Sequence, residues 1–152
     1  ALLNSARLRV ALASNQGGIG HKDRNFDWER YYAIERKMHE LLTREANAHV
    51  DAVFVCPHPD YDRCACRKPE TGMFVAAQQR FTFKPERSYM IGDSDVDIVA
   101  GERFGLKTIW VRSGNARGSA SGSQAPNWEA ADLYEAAQII VNDLGQNAEF
   151  EL

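Results

Sequence analysis

Ser88-Tyr-Met-Ile-Gly-Asp-Ser-Asp-Val-Asp-Ile-Val-Ala-Gly-Glu-Arg-Phe-Gly105 decides the fold class. Ser88 to Ile91 reads as a strand that runs into a Gly92-Asp93 turn. Ile98, Val99, Ala100 and Phe104 then mark the inward side of a helix. Asp95 or Asp97 opens that helix, and Asp95 is the favoured N-cap, because a short side-chain oxygen can satisfy the unpaired N–H groups of a first turn. Gly105 closes it. A further strand, Lys107-Thr-Ile-Trp-Val111, follows directly. Strand, helix and strand joined by short turns imply a crossover, and a crossover makes the two strands parallel.

Toward the amino terminus the alternation repeats. Leu8 to Ser14 is a mostly apolar strand ending in the glycine turn Asn15-Gln-Gly-Gly-Ile-Gly20. From Asp27, an N-cap, Trp28, Tyr31, Ile34, Met38, Leu41 and Leu42 recur at helical spacing, which predicts a helix to about Ala46. Asp51 to Val55 is a buried-type strand, and a loop rich in Cys, His, Pro and Asp follows it. Thr71 to Phe81 reads as a helix with Met73, Phe74, Ala77 and Phe81 on one face. Leu2, Leu3, Ala6 and Leu8 resemble the tail of a helix, and a first residue other than Met suggests a piece of a longer product. In the other direction, 113–127 carries Gly114, Gly118, Gly122 and Pro126 among Ser, Ala and Asn, and reads as a flexible loop. Ala131 to Leu144 supplies a last short strand and helix. The reading is one α/β domain over residues 1–152, with a mostly parallel sheet between helical layers. Ligands of such sheets bind beyond the carboxyl ends of the strands, where Ser14, Cys56 and Asp93 are expected to gather.

Bulk properties narrow the partners. The 152 residues are 44% hydrophobic and 26% charged, ordinary for one soluble domain. A net charge of −3 and the lack of any Lys/Arg-rich run argue against nucleic acid and anionic membrane as partners. No apolar run approaches a membrane span and no signal peptide is visible, so a cytoplasmic location is the expectation. The sequence does not set an oligomeric state. His21, His39 and His49 show no partner in the sequence, and the latter two are read as solvated.

Cys56, His58, Cys64 and Cys66 form C-x-H-x5-C-x-C, and these three are all the cysteines of the chain. Three thiolates and an imidazole complete a tetrahedron with no open position, the pattern of a structural zinc rather than a catalytic one. An odd cysteine count argues against disulfides. The competing readings are incidental cysteines or a redox-reactive pair at Cys64 and Cys66. The intervening Pro57, Pro59, Asp60, Asp62 and Arg63 cannot make a core, so a metal would supply the ordering energy of the loop, over residues 56–66.

Three fragments offer phosphate chemistry. Ser14 places a hydroxyl at a strand end, and the glycine turn after it adds backbone N–H donors that can hold phosphate oxygens. Asn15 adds an amide there. Lys68 can balance charge on a phosphoryl group, and Arg67 can grip one through two donors. Asp93 and Asp97 suit Mg²⁺, an ion that takes oxygen ligands. A strand-to-helix turn, a solvated lysine and a surface ion pair are the plain alternatives for each.

In this order the fragments Ser14-Asn-Gln-Gly-Gly-Ile-Gly20, Cys56-Pro-His58…Cys64-Ala-Cys-Arg-Lys-Pro69 and Met90-Ile-Gly-Asp-Ser-Asp-Val-Asp97 resemble successive motifs of phosphatases of the haloacid dehalogenase (HAD) superfamily. The resemblance runs from about residue 5 to 140 and is most specific at the cysteine loop joined to Arg-Lys-Pro. It points to the zinc-containing branch, whose members act on heptose 1,7-bisphosphate or histidinol phosphate. It implies a three-layer Rossmann-like HAD fold, a structural Zn²⁺, a catalytic Mg²⁺ and a small phosphorylated metabolite as substrate. By the same resemblance Ser14 and Lys68 hold phosphate and balance charge, Asp93 binds Mg²⁺, and Asp97 supports that metal.

Members of this family begin with a strand ending in Asp-x-Asp-Gly-Thr, whose first Asp forms an aspartyl-phosphate and whose second is the general acid and base. No such motif occurs in the 152 residues. Ile139-Ile-Val-Asn-Asp-Leu-Gly145 has a similar rhythm but reads as helix, with Asn142 where a nucleophile would stand. The family places the absent strand centrally, between those ending at Ser14 and Asp93. The leading expectation is a phosphomonoesterase whose nucleophile lies outside these residues. Lys68-Pro-Glu-Thr-Gly-Met73 tilts it toward the heptose bisphosphate, with Thr71 departing from the Pro usual there. A zinc-stabilised, non-catalytic binding module is the alternative, and a polynucleotide 3′-phosphatase fits less well for want of a basic groove.

Overall fold

Five strands, each parallel to its neighbours, occur among the residues that the computed structural model describes, 1–113 and 125–148. Most of the glycine- and serine-rich segment read as a loop over 113–127 lies outside the described residues. Contacts divide the chain into two compact units, Leu3–Arg80 and Phe81–Leu152.

The first unit contains β1 (Ala11–Asn15), α2 (Trp28–Ala46), β2 (Ala52–Cys56) and α3 (Gly72–Phe81), after a short α1 (Leu2–Ser5). Asp27 caps α2 as its sequence predicts, accepting from the Arg30 N–H at 2.9 Å, and Asn47 ends it in the left-handed region at φ 47°. The helix carries the chain back so that β1 and β2 pair in parallel from Ala11↔Ala52 to Asn15↔Cys56. At the two ends of this ladder Asp51 N–H donates to Val10 and Gln16 N–H donates to Cys56. Backbone groups alternate in direction along a strand, so Ala11, Ala13 and Asn15 turn theirs away from β2. Tyr31, Ala48, Cys56, Met73, Phe74 and Ala77 are buried.

The second unit contains β3 (Tyr89–Gly92), α4 (Asp95–Phe104), β4 (Lys107–Val111), β5 (Trp128–Ala130) and α5 (Leu133–Ala148), with strand order β3-β4-β5. Register runs Tyr89↔Lys107 and Ile109↔Trp128. β5 lies ahead of the region read as the last strand: Trp128–Ala130 pairs with β4, and the residues from Leu133 onward are helical. Ile98, Ala100, Ile109, Trp110, Ala130, Ala136 and Ile140 form the core. Thr108 is fully buried in a central strand, and its hydroxyl is satisfied by Asn127, donating to Oδ1 and accepting from the Asn127 N–H, each at 3.2 Å.

Asn142 and Asp143 lie in α5, as the helical reading of that stretch expects. The Asp143 carboxylate accepts from the Tyr89 hydroxyl and, at 2.5 Å, from Lys107, tying the helix to two strands. No helix among the described residues is long and apolar enough to cross a membrane.

Candidate metal and phosphate sites

β2 delivers Cys56, fully buried, to the start of the loop. A short 3₁₀ turn at Asp60–Asp62, ended by Arg63 in the left-handed region, brings Cys64 and Cys66 back beside it. The four ligand atoms lie within 4.8 Å of one another. The Cys56 sulfur is 3.5 Å from that of Cys64 and 3.7 Å from His58 Nδ1, while Cys66 sulfur is 3.4 Å from Cys64 and 3.2 Å from His58 Nδ1. A tetrahedral ion with bonds of about 2.3 Å to sulfur and 2.0 Å to nitrogen has edges of about 3.5–3.8 Å. The set therefore fits a metal ion in size as well as in donor type.

Without a cation the thiols conflict. Burial, then hydrogen bonding with Cys66, pushes the Cys56 thiol up to about 12, and burial also raises Cys66. Burial opposes ionisation of Cys64 too, but hydrogen bonds with Cys66 and Cys56 outweigh it and bring this thiol down to about 7. One sulfur ionises at the expense of its neighbours, a conflict that a divalent cation removes by favouring all the thiolates together.

The glycine turn leans directly on this loop. Gln16 N–H donates to Cys56 at 2.8 Å and Gly20 N–H to Pro57 at 3.0 Å. A Cβ at Gly20 would lie 2.7 Å from the Pro57 carbonyl oxygen, so no larger residue permits the contact. Ser14 Oγ accepts from Gln16 Nε2 at 2.8 Å. Asn15 reaches across to Lys68: its Oδ1 accepts the Lys68 N–H and its Nδ2 donates to the Lys68 carbonyl, both at 2.9 Å. Lys68 itself is only 8% exposed, and its ammonium donates to the Ala13 carbonyl at 2.5 Å. Arg67 donates to the His58 carbonyl at 3.3 Å. Ser14, Asn15, Arg67, Lys68 and the four metal-type ligands thus belong to one unit. Asn15, read from sequence as a phosphate donor, has its amide engaged with the Lys68 backbone.

A cleft of about 430 Å³ opens at this turn, lined by Asn15, Gly17, Gly18, His21, Arg24 and Arg67, with Gln16, Phe26, Pro59 and Asp60 completing it. His21 and Arg24 escaped the sequence reading; the Gly17-Gly18 turn is the one whose N–H donors that reading assigns to phosphate. An imidazole and a guanidinium a few residues beyond a glycine turn were the available signal, but their place in one cleft with Arg67 depends on the path of the metal loop.

Asp93 follows β3 in the second unit and is half-buried. The N-cap of α4 is Ser94, which corrects the assignment to Asp95; Asp95 is the first helical residue and is exposed. Ser94 wins because it forms a capping box with Asp97 three residues on, donating its hydroxyl to Asp97 Oδ2 at 2.8 Å and its N–H at 3.3 Å. Asp97 is consequently buried at 6% exposure and lies over Gly92, where an added Cβ would sit 2.2 Å from the Asp97 Cβ.

Residues 65–136 match the HAD-hydrolase-like family. A D-glycero-beta-D-manno-heptose-1,7-bisphosphate 7-phosphatase from Bordetella bronchiseptica is 34% identical over 148 residues, 97% of this chain and 80% of that protein. The chain belongs to the HAD-like phosphatase family. A relative of the same name in Neisseria meningitidis is 36% identical over 117 residues, and the matched part spans 77% of this HAD-like chain but 61% of that protein. The HAD architecture is shared with the crystal structure of D,D-heptose 1,7-bisphosphate phosphatase from B. bronchiseptica complexed with magnesium and phosphate. That structure superposes with a TM-score of 0.82 at 32% identity, covering 93% of this chain and 78% of that one.

Proposed function

We propose that the protein is a Mg²⁺-dependent phosphomonoesterase of small phosphorylated sugars, with heptose 1,7-bisphosphate the favoured substrate and histidinol phosphate the next. The observation that carries this reading is Lys68, clamped at its backbone by Asn15 and bonded from its ammonium to Ala13, the two neighbours in sequence of Ser14 at the carboxyl end of β1. A lysine fixed at its backbone and buried at its side chain meets a phosphoryl group without reorganising, which favours charge developing on the transferred oxygens. Ser14 Oγ and Arg67 supply further donors to the same group.

Asp93, with Asp97 behind it, would hold Mg²⁺, an ion that offsets negative charge on the phosphoryl oxygens. Asp97, which accepts from the Ser94 hydroxyl and N–H, would also keep the Asp93 turn in shape. Cys56, His58, Cys64 and Cys66 would hold Zn²⁺ in a closed shell that orders the loop and takes no part in bond breaking. An aspartyl-phosphate route also requires a nucleophile from beyond these 152 residues.

The test is phosphate release by the full-length gene product from heptose 1,7-bisphosphate and from histidinol phosphate, with and without Mg²⁺. Release from the bisphosphate that needs Mg²⁺ and falls at least about a hundredfold in Lys68→Ala supports the reading. No release from either substrate with Mg²⁺ present overturns it.

A further inference from the structure

The three sulfurs of the metal-type set lie close together and are unequally sheltered. Cys64 Sγ is 3.4 Å from Cys66 Sγ and 3.5 Å from Cys56 Sγ. Cys56 is fully buried at the end of β2, whereas Cys64 and Cys66 are half-buried and His58 is exposed. A small oxidant therefore reaches the set from the loop side, at Cys64 and Cys66. The peptide between these two is pinned. The Ala65 carbonyl accepts from the Gly72 N–H at 2.9 Å, and a Cβ at Gly72 would lie 2.5 Å from that oxygen. Two sulfurs on one held stretch of backbone can close from 3.4 Å to a disulfide of about 2.05 Å by rotation of their side chains. Cys56, with no exposed surface, has no room for that turn.

We propose that Cys64 and Cys66 form an oxidation site at which a peroxide converts the pair to a disulfide and releases the bound metal. One thiolate attacks a peroxide oxygen, giving a sulfenic acid and hydroxide. The second thiolate attacks that sulfur, forming the S–S bond and expelling a second hydroxide. The two sulfurs lose two electrons, the peroxide gains them, and two protons from solvent complete two waters. Cys56 and His58 remain, too few to hold a tetrahedral ion. Residues 57–63 then lose their tether, and with it the set of the Pro57 carbonyl that Gly20 holds and of the His58 carbonyl that Arg67 holds. Arg67 and Lys68 directly follow Cys66, so the oxidation acts next to the residues read as phosphate ligands. This needs the fit of the four side chains to a metal, not the phosphomonoesterase reading.

The experiment treats the full-length gene product, loaded with Zn²⁺, with stoichiometric hydrogen peroxide, and follows free zinc with a chromogenic chelator. Free thiols are then blocked and the chain is cut after Arg63 and Arg67, which isolates Cys64-Ala-Cys-Arg67. The expected result is zinc release in step with loss of two hydrogens from that peptide, both reversed by dithiothreitol with added Zn²⁺. Zinc retained together with blockable thiols at Cys64 and Cys66 under excess peroxide overturns the proposal. So does a bridge to Cys56, sulfinic acid in place of a bridge, or a chain that takes up no zinc. Release and bridging in a protein that hydrolyses neither phosphate ester would leave the oxidation site standing and sink the phosphomonoesterase reading alone.

Discussion

The side-chain amide of Asn15 closes a two-way clamp on the backbone of Lys68, accepting from its N–H and donating to its carbonyl at 2.9 Å each, across 53 positions of sequence. Two loops that carry the candidate phosphate residues are therefore one mechanical piece. Replacing Asn15 with Ala leaves two part-buried backbone groups unpaired, at a cost of about 1–3 kcal/mol. Asn15→Asp keeps the acceptor for the N–H but sets a carboxylate against the Lys68 carbonyl, and should be no milder than Ala. Urea unfolding measures both, and equal midpoints for wild type and Asn15→Ala would show the clamp to be idle.

Metal removal should act locally before it acts globally. The loop from Cys56 to Cys66 makes its sulfur and imidazole contacts in one cluster, while α2 and the β1–β2 ladder have bonds of their own. Elemental analysis should find one zinc per chain. A strong chelator should release it, expose three reactive thiols and weaken the turn that hangs on Cys56 and Pro57, with far-ultraviolet helicity largely kept. His58→Ala should lower metal retention in the same way. A chain that keeps unreactive thiols after complete demetallation would contradict this.

Gly92→Ala should be costly in spite of its small size. The added carbon would meet the Asp97 side chain at 2.2–2.6 Å, inside the capping box that starts α4. Relief requires Asp97 to leave Ser94, so overpacking and a lost cap combine to about 1–3 kcal/mol. Gly92→Ala in an Asp97→Ala background should cost much less than in wild type, and an unchanged cost in this double-mutant cycle would rule the clash out.

Alkaline stability follows from two tyrosines. Burial first, then Glu35, pushes Tyr31 up to about 12, and burial with Asp143 raises Tyr89 as well. In the unfolded chain these phenols ionise near the ordinary value of about 10. Between the two values the unfolded state binds fewer protons, so stability is intact below pH 10 and falls as pH rises toward 12. Tyr31→Phe should flatten that fall, as read from urea midpoints at pH 9 and 11.5. In Asp143→Ala the Tyr89 phenol should ionise at lower pH in an absorbance titration.

Helices with a cap and a periodic face were legible in advance. Asp27, the Trp28-to-Leu42 spacing and Gly105 each fix a local geometry that tertiary packing did not override. The cysteine set was legible because its ligands fall within eleven positions of one another. What could not be read depended on which of several similar groups captures a contact. Ser94 and Asp95 are both competent caps, and the reciprocal bond to Asp97 chose between them. β5 is three residues long and earns its place from pairing with β4, a non-local partner. His21 and Arg24 became site candidates only once Pro57 and Pro59 folded the metal loop against them.

The bond from Lys68 to Ala13 has a meaning unrelated to phosphate. Ala13 presents its carbonyl on the side of β1 that faces away from β2, where, among the described residues, β1 has no strand neighbour. The ammonium there covers one backbone acceptor of that edge, so a strand pairing along it must first displace the charge. Neutralising Lys68 would therefore uncover that acceptor as well as take charge from the pocket.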